Sequence, residues 1–213
     1  MTDTVFRAHP VRGPLNATFF WLAGGMFDRL LRPHKRRVYD DLPATVVELG
    51  AGVGANLRYL APGSTLVAVE PNPAMHRRLR RAALRRGVRL DLREVTAERT
   101  HLPDASAEVV LSSLVMCSVA DPAQVLAEVR RVLRPGGRFV FVEHVGAADG
   151  TTLRRLQRLV RRPWAWCFEG CSCERDLAGA VRAAGFERVD IDSYKLRSPF
   201  LPFNTQIAGV ATA

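Results

Sequence analysis

Apolar residues fall along the chain in short runs, set apart by arginine-rich stretches of helical period. Residues 45–50 (TVVELG) are one such run; ending in glycine, they have the pattern of a buried parallel strand. A helical stretch is expected from about Ala55 to Leu60, stopped by Pro62-Gly63. TLVAVE, 65–70, repeats the strand pattern and ends on an acid. Pro73 opens the next helix, where its missing N–H is not needed, and Gly87 stops it. VRLDLREV, 88–95, alternates as a strand with one polar face, and AEVVLSSLV, 107–115, reads as another buried strand. Asp121 caps a helix whose first residue is Pro122 and which stops at Pro135-Gly136-Gly137, ahead of the strand RFVFVEH at 138–144. The end of the chain differs. Arg175 to Ala184 reads as a helix closed by Gly185, and 186–194 and 205–212 as two strands with no helix between them.

This alternation predicts an α/β fold: a doubly wound, mostly parallel sheet with right-handed crossovers. The final pair of strands puts one antiparallel strand into it. At 213 residues, one generous domain is expected. Two segments stand outside the alternation, 1–44 and 146–173. Both are rich in Phe, Trp and Pro, and both flank the strand ends where such sheets bind ligands.

Charge changes this picture little. The formal net charge is +10, carried almost wholly by arginine, since Lys35 and Lys195 are the only lysines. The basic runs at 76–86 (HRRLRRAALRR) and 154–162 (RRLQRLVRR) read as solvated helix faces. They lack the aromatic interleaving of a nucleic-acid surface, so no nucleic-acid partner is expected. Cys171 and Cys173 form a C-x-C, a poor disulfide spacing and only half of a zinc site, so no metal is expected either. No run of about 18 apolar residues is present, and no charged-then-apolar leader opens the chain. A cytoplasmic protein without a membrane anchor, monomeric or homodimeric, is the expectation. The arginine-rich composition suits a bacterial source with secondary metabolism.

The chemistry concentrates at strand ends. Glu48-x-Gly50-x-Gly52-x-Gly54 is a turn whose glycines let the backbone approach a ligand without Cβ clashes. The third glycine follows the second by two positions rather than the three of the dinucleotide fingerprint, which points away from a pyrophosphate. Glu70 stands 22 positions after Glu48, at the end of the next strand, where a carboxylate accepts hydrogen bonds from both hydroxyls of a ribose. Thr96-Ala97-Glu98 follows the third strand, with small and acidic residues placed to flank an adenine ring. LSSLVMCSVADP, 111–122, closes the fourth strand with small polar residues and should run along the floor between cofactor and substrate.

In this order the pieces closely resemble the class I S-adenosylmethionine-dependent methyltransferases over residues 45–145. In that family the glycine turn passes under the methionine part of the cofactor and the acid at the position of Glu70 holds the ribose. The family's seven-stranded sheet, with its last strand antiparallel, agrees with the hairpin read above. GANLRYL, VEPNPAM, LVMCSV, EVRRVLRPGG, EHV and EGCSCERD resemble more narrowly the thiol S-methyltransferase-like group of bacteria and animals. Animal members begin with a hydrophobic membrane anchor; this chain begins MTDTVFRAHPVRGPLNATFFWLAGGMFDRLL, so membrane attachment is not expected to carry over.

The expected organisation is an N-terminal helical lid (1–44), a cofactor-binding core (45–145), a substrate-side insertion (146–173) and a C-terminal helix and hairpin (174–213). The expected cofactor is S-adenosylmethionine, leaving as S-adenosylhomocysteine. Candidates to hold it are Glu48, Gly50, Gly52, Gly54, Asn56, Glu70, Pro71, Ala97, Glu98, Ser113, Leu114 and Cys117. Phe20, Trp21, Phe27, Trp164, Cys167 and Cys171 are candidates for a pocket around a small, largely apolar acceptor, whether a thiol or a natural-product oxygen, nitrogen or carbon. His144, beside Glu143 at the end of the fifth strand, is the candidate base or substrate orienter. Two other readings remain at this level: a cofactor-binding protein or enzyme that does not methylate, and an RNA methyltransferase suggested by the basic charge.

Overall fold

The computed structural model describes residues 9–213. Its core is a seven-stranded sheet in the order β3-β2-β1-β4-β5-β7-β6, with strands β1 (Thr45–Leu49), β2 (Thr65–Val69), β3 (Arg89–Arg93), β4 (Ala107–Ser113), β5 (Leu133–His144), β6 (Arg188–Lys195) and β7 (Thr205–Thr212). Strands β1 to β5 pair in parallel, and β7 lies antiparallel between β5 and β6. The doubly wound sheet and its antiparallel strand are as the hydrophobic pattern foretold.

Alternation along each strand feeds two apolar layers. Val46, Leu66, Val109, Leu111 and Val140 face helices α1 (Arg12–Val38) and α2 (Pro73–Arg86), meeting Leu31, Val38 and Leu79. Val47, Leu49, Val110, Phe139 and Phe141 face α3 (Pro122–Val132) and α5 (Leu177–Ala183), meeting Val125, Val129 and Val181. The remaining helix, α4 (Thr152–Cys167), supplies most of the insertion. The basic runs lie on the outer faces of α2 and α4, where Arg77, Arg80, Arg81, Arg155 and Arg158 are exposed. No helix among the described residues is long and apolar enough to cross a membrane.

The helical stretch expected from about Ala55 is present as a short 3-10 helix, Ala55–Tyr59, which follows directly on the left-handed Gly54. Two local expectations are corrected. Helix α3 ends at Val132 rather than at Pro135. Leu133 already pairs with Ala107, and the Pro-Gly-Gly segment bulges before Arg138 pairs with Val109. Helix α5 starts at Leu177, because the Asp176 side chain accepts the Gly179 N–H and fixes the first turn there.

Helix α4 is moored by one polar side chain. Gln157 is wholly buried; it accepts the Ala147 N–H at 2.8 Å and donates to the carbonyls of Pro202 at 3.0 Å and Val145 at 3.3 Å. Leucine at this position has a similar volume but strands those backbone groups, each costing about 1–3 kcal/mol when buried and unmet. Gln157→Leu should therefore lower stability by about 2–4 kcal/mol in urea denaturation; an unchanged midpoint would show that water replaces the amide without loss.

Candidate active site

The sheet order reverses between β1 and β4, so their C-terminal ends diverge and open a crevice. A cavity of about 360 Å³ occupies it, roofed by α1 and by the segment after α4. At one end lies the glycine turn. Gly50 and Gly52 take left-handed φ values of 56° and 55°. A side chain at Gly50 would collide with Val115, whereas the space beside Gly52 is open apart from the Gly50 carbonyl oxygen at 3.9 Å. Bare backbone therefore faces the cavity, as a ligand lying close against it requires.

The acids around this turn are held differently from one another. Glu70 Oε2 accepts the Gly52 N–H and Oε1 accepts the Asn72 N–H, each at 2.8 Å. Burial raises its carboxyl, and these two backbone bonds oppose the rise. Each oxygen keeps a lone pair for a further donor. Glu98 is buried and accepts the Ala120 N–H at 2.9 Å, which ties the loop after β3 to the loop after β4. Glu48 Oε1 accepts from Asn56 Nδ2 at 2.6 Å, while Oε2 is buried and has no partner. A buried carboxylate oxygen left unmatched is the place for a donor that the protein does not supply.

The Asn56 amide passes this interaction on to a residue the sequence did not single out. Lys35 Nζ donates to Asn56 Oδ1 at 2.6 Å, and the lysine is only 4% exposed. Burial pulls the ammonium down to about 8, against the attraction of Glu48 and Asp28. Burial likewise pushes Glu48 up to about 7, against the hydrogen bond from Asn56 and the attraction of the Lys35 charge. Two turns earlier on α1, Asp28 is buried and paired with Arg32 and Arg58, and accepts from the Tyr59 hydroxyl at 2.7 Å. Asp28, Leu31 and Lys35 share one helix face, and that face closes onto the glycine turn.

The opposite end of the cavity is aromatic, walled by Phe19, Phe20, Phe27, Trp164, Phe168 and Phe203 among others. Within it sits a small group of polar atoms. His144, 3% exposed, places Nε2 3.1 Å from Cys171 Sγ; Nδ1 is buried without a partner. The Trp164 indole N–H donates to Cys171 Sγ at 3.2 Å. Cys117 completes the group: one ligand-type atom from each of Cys117, His144 and Cys171 lies within 4.8 Å of the others. The hydrogen bond to Cys171, together with burial, holds the Cys117 thiol well above its ordinary range. Glu143 serves the same corner. Fully buried, it accepts from Ser112 Oγ at 2.6 Å and from the Val115 N–H at 3.0 Å, and so fixes the β4 exit loop through the left-handed Leu114.

Similarity to known proteins agrees with this geometry. A methyltransferase-domain family model matches residues 47–141. The chain is 34% identical to a thiol S-methyltransferase of Rattus norvegicus, over 78% of this chain and 70% of that protein. It is 35% identical to a thiol S-methyltransferase of Homo sapiens, over 78% and 72% respectively. The chain belongs to the class I S-adenosylmethionine-dependent methyltransferases. Solved structures show the same fold. One is a methyltransferase of Thermotoga maritima described as a possible histamine N-methyltransferase, with a TM-score of 0.60 at 20% identity over 92% of this chain and 98% of that one. Another is a methyltransferase of Mesorhizobium loti, with a TM-score of 0.62 at 22% identity over 86% and 98%.

Most residues singled out from the methyltransferase sequence line this one cavity: Glu48, Gly50, Gly52, Asn56, Glu70, Pro71, Ala97, Glu98, Ser113, Leu114, Cys117 and His144 on the sheet side, and Phe20, Phe27, Trp164 and Cys171 in the roof. Three do not. Gly54 is left-handed, and the room left by its missing side chain is filled by Leu57, Leu79 and Ala82, so it serves packing. Trp21 is 55% exposed, on the outer side of α1 beneath the Arg78 guanidinium. Cys167 is exposed at the end of α4.

The buried Glu48 and Lys35 give the methyltransferase a distinctive stability profile. Glu48 titrates higher in the fold than its ordinary 4.5, so its contribution is present below that pH and lost as pH rises through about 7. Lys35 titrates lower than its ordinary 10.5, so its contribution is present above that pH and lost as pH falls through about 8. Thermal denaturation from pH 5 to 10 should thus show a trough between about 7 and 8 from this pair. Glu48→Gln should flatten the acid-side slope; a slope parallel to that of the parent would show that Glu48 ionises normally.

Proposed function

We propose that this methyltransferase transfers a methyl group from S-adenosylmethionine to the sulfur of a small, largely apolar thiol. The observation that carries this reading is the two-ended cavity, with acids and bare backbone at one end and aromatic rings around His144 at the other. S-Adenosylmethionine, when bound, supplies an electrophilic methyl group. The orphan oxygen of Glu48 and the open backbone at Gly52 fit the cationic methionine end. Glu70 offers its remaining lone pairs to the ribose hydroxyls, and Ala97 and Glu98 flank the base. That the most similar proteins described above are thiol S-methyltransferases supports sulfur as the acceptor atom.

The chain's own part is positioning and exclusion of water. Helix α1 and the segment 146–173 act as the lid. They are latched together where Asn16 donates to the Cys167 carbonyl at 3.1 Å and Arg12 to the Trp166 carbonyl at 2.9 Å, and Asn72 reaches Glu169 at 3.1 Å from the sheet side. The apolar wall favours an acceptor without charge, and His144 is the group that orients it. A thiol ionises close to neutral pH and needs less help from a base than an alcohol does.

Incubation with methyl-labelled cofactor and matched panels of thiols, phenols and amines tests the reading. Label is expected on thiols as the thioether; tight cofactor binding with label on none of them would refute it. Glu70→Gln should weaken cofactor binding about 10- to 100-fold, the worth of a hydrogen bond to a charged acceptor. His144→Gln should lower turnover about 100-fold while leaving cofactor affinity unchanged. The opposite split between these two variants would reverse the two ends of the cavity.

A further inference from the structure

We propose that Cys117, His144 and Cys171 form a binding site for a borderline-soft divalent cation of the zinc type, with an open fourth position that receives the acceptor thiol as a thiolate. The site deepens the thiol-methylation reading and rests on it for the identity of the fourth ligand.

The ligand set comes first. Two sulfurs and an imidazole suit zinc chemistry, whereas calcium and magnesium take oxygen ligands. Catalytic zinc sites use three protein ligands and leave the fourth position to water or substrate, and Cys₂His is one of the known sets. With bond lengths of about 2.3 Å to sulfur and about 2.0–2.1 Å to nitrogen, the edges of a tetrahedral site are about 3.8 Å for S···S and about 3.6 Å for S···N. The three ligand-type atoms already lie within 4.8 Å of one another, and His144 Nε2 stands 3.1 Å from Cys171 Sγ. Shifts of an ångström or less bring them to coordination.

The position comes second. All three residues line the cavity, so the open coordination direction faces the space proposed for the acceptor. The ligands come from three separate elements that the fold clamps together. Ser172 N–H donates to the Cys117 carbonyl at 2.8 Å, and Arg175 donates to the carbonyls of Met116 at 2.9 Å and Val119 at 2.6 Å. The Trp164 indole N–H on Cys171 Sγ is a supporting hydrogen bond of the kind that tunes a metal thiolate. His144 is buried, and its Nε2 has Cys171 Sγ, another member of the group, within hydrogen-bond distance.

The chemistry balances without an oxidant or reductant. Cation binding displaces the protons of Cys117 and Cys171 to solvent. The acceptor thiol then loses its proton to solvent as its sulfur takes the fourth position. A divalent ion with three thiolates carries a net charge of about −1, which leaves the sulfur nucleophilic and attracts the cationic methyl donor. A sulfur lone pair forms the new bond to the methyl carbon as the methyl–sulfonium bond breaks, and that electron pair stays on the departing sulfur. The thioether product is neutral, a poor ligand, and leaves.

Titration of the metal-free full-length protein with Co²⁺ tests this directly. The expected result is one equivalent bound, with the visible bands of tetrahedral cobalt and a near-ultraviolet thiolate-to-cobalt band. Both should shift when a substrate thiol is added. Cys117→Ser and Cys171→Ser should each weaken cobalt binding at least about tenfold and reduce the thiolate band; Cys167→Ser, at the exposed cysteine, should leave both intact. Protection of Cys117 and Cys171 from iodoacetamide by Zn²⁺ gives the same answer in the parent protein if a serine variant does not fold. Calorimetry with S-adenosylhomocysteine on the same metal-free sample keeps the two readings apart. Cofactor binding without a thiolate–cobalt band overturns the metal site and leaves the methyltransferase reading standing. Thiol methylation undiminished in metal-free protein also overturns it.

Discussion

The relay from Lys35 through Asn56 to Glu48 joins the roof of the cavity to its floor. An ammonium and a carboxylate buried together cost more in lost hydration than an apolar pair of the same size would. What the relay provides in return is position. It fixes the face of α1 that carries Asp28, Leu31 and Lys35 against the glycine turn, and this in turn sets where Phe19, Phe20 and Phe27 stand over the crevice. The opposed shifts of the two groups, Lys35 down to about 8 and Glu48 up to about 7, record the desolvation both have undergone.

From that fixed roof the cavity acquires two characters. Its sheet side is made by strand ends, where backbone N–H groups hold Glu70 and Glu98 in place. Its far side is made by side chains from α1, the insertion and the segment before β7, and these are aromatic. Glu143 marks the boundary. By gripping Ser112 and the Val115 N–H it holds the β4 exit loop so that Cys117 turns toward His144 at the end of β5. In the proposed function the methyl donor and its acceptor meet where the polar and apolar ends join, a division suited to a charged cofactor and a largely apolar substrate.

The sheet was legible because its buried strands are short, apolar, largely β-branched runs, the first two stopping at Gly50 and Glu70, and the period-2 and period-3.6 patterns do not overlap. The cofactor-side candidates were legible for the same reason, since in a doubly wound fold chemistry gathers at strand ends. Lys35 was not legible: in LRPHKRR a buried cation and a solvated one look alike, and only the phase of α1 separates them. Helix phase also explains Trp21, which lies one residue, and so about 100°, from Phe20, and thus faces solvent. The grouping of Cys117, His144 and Cys171 was hidden by distance along the chain. C-x-C drew attention to Cys173, yet that thiol turns away from the cavity, toward the Gln157 carbonyl at 3.6 Å.

The proposed function requires one cavity to hold the methyl donor between the glycine turn and the Cys117–His144–Cys171 corner. A crystal structure with S-adenosylhomocysteine measures it most directly. The ribose hydroxyls are expected on Glu70, the amino group beside Glu48, and the homocysteine sulfur facing the cysteine–histidine corner with no side chain between them. A ligand with its adenine in the aromatic end, or its sulfur turned from His144, would contradict it.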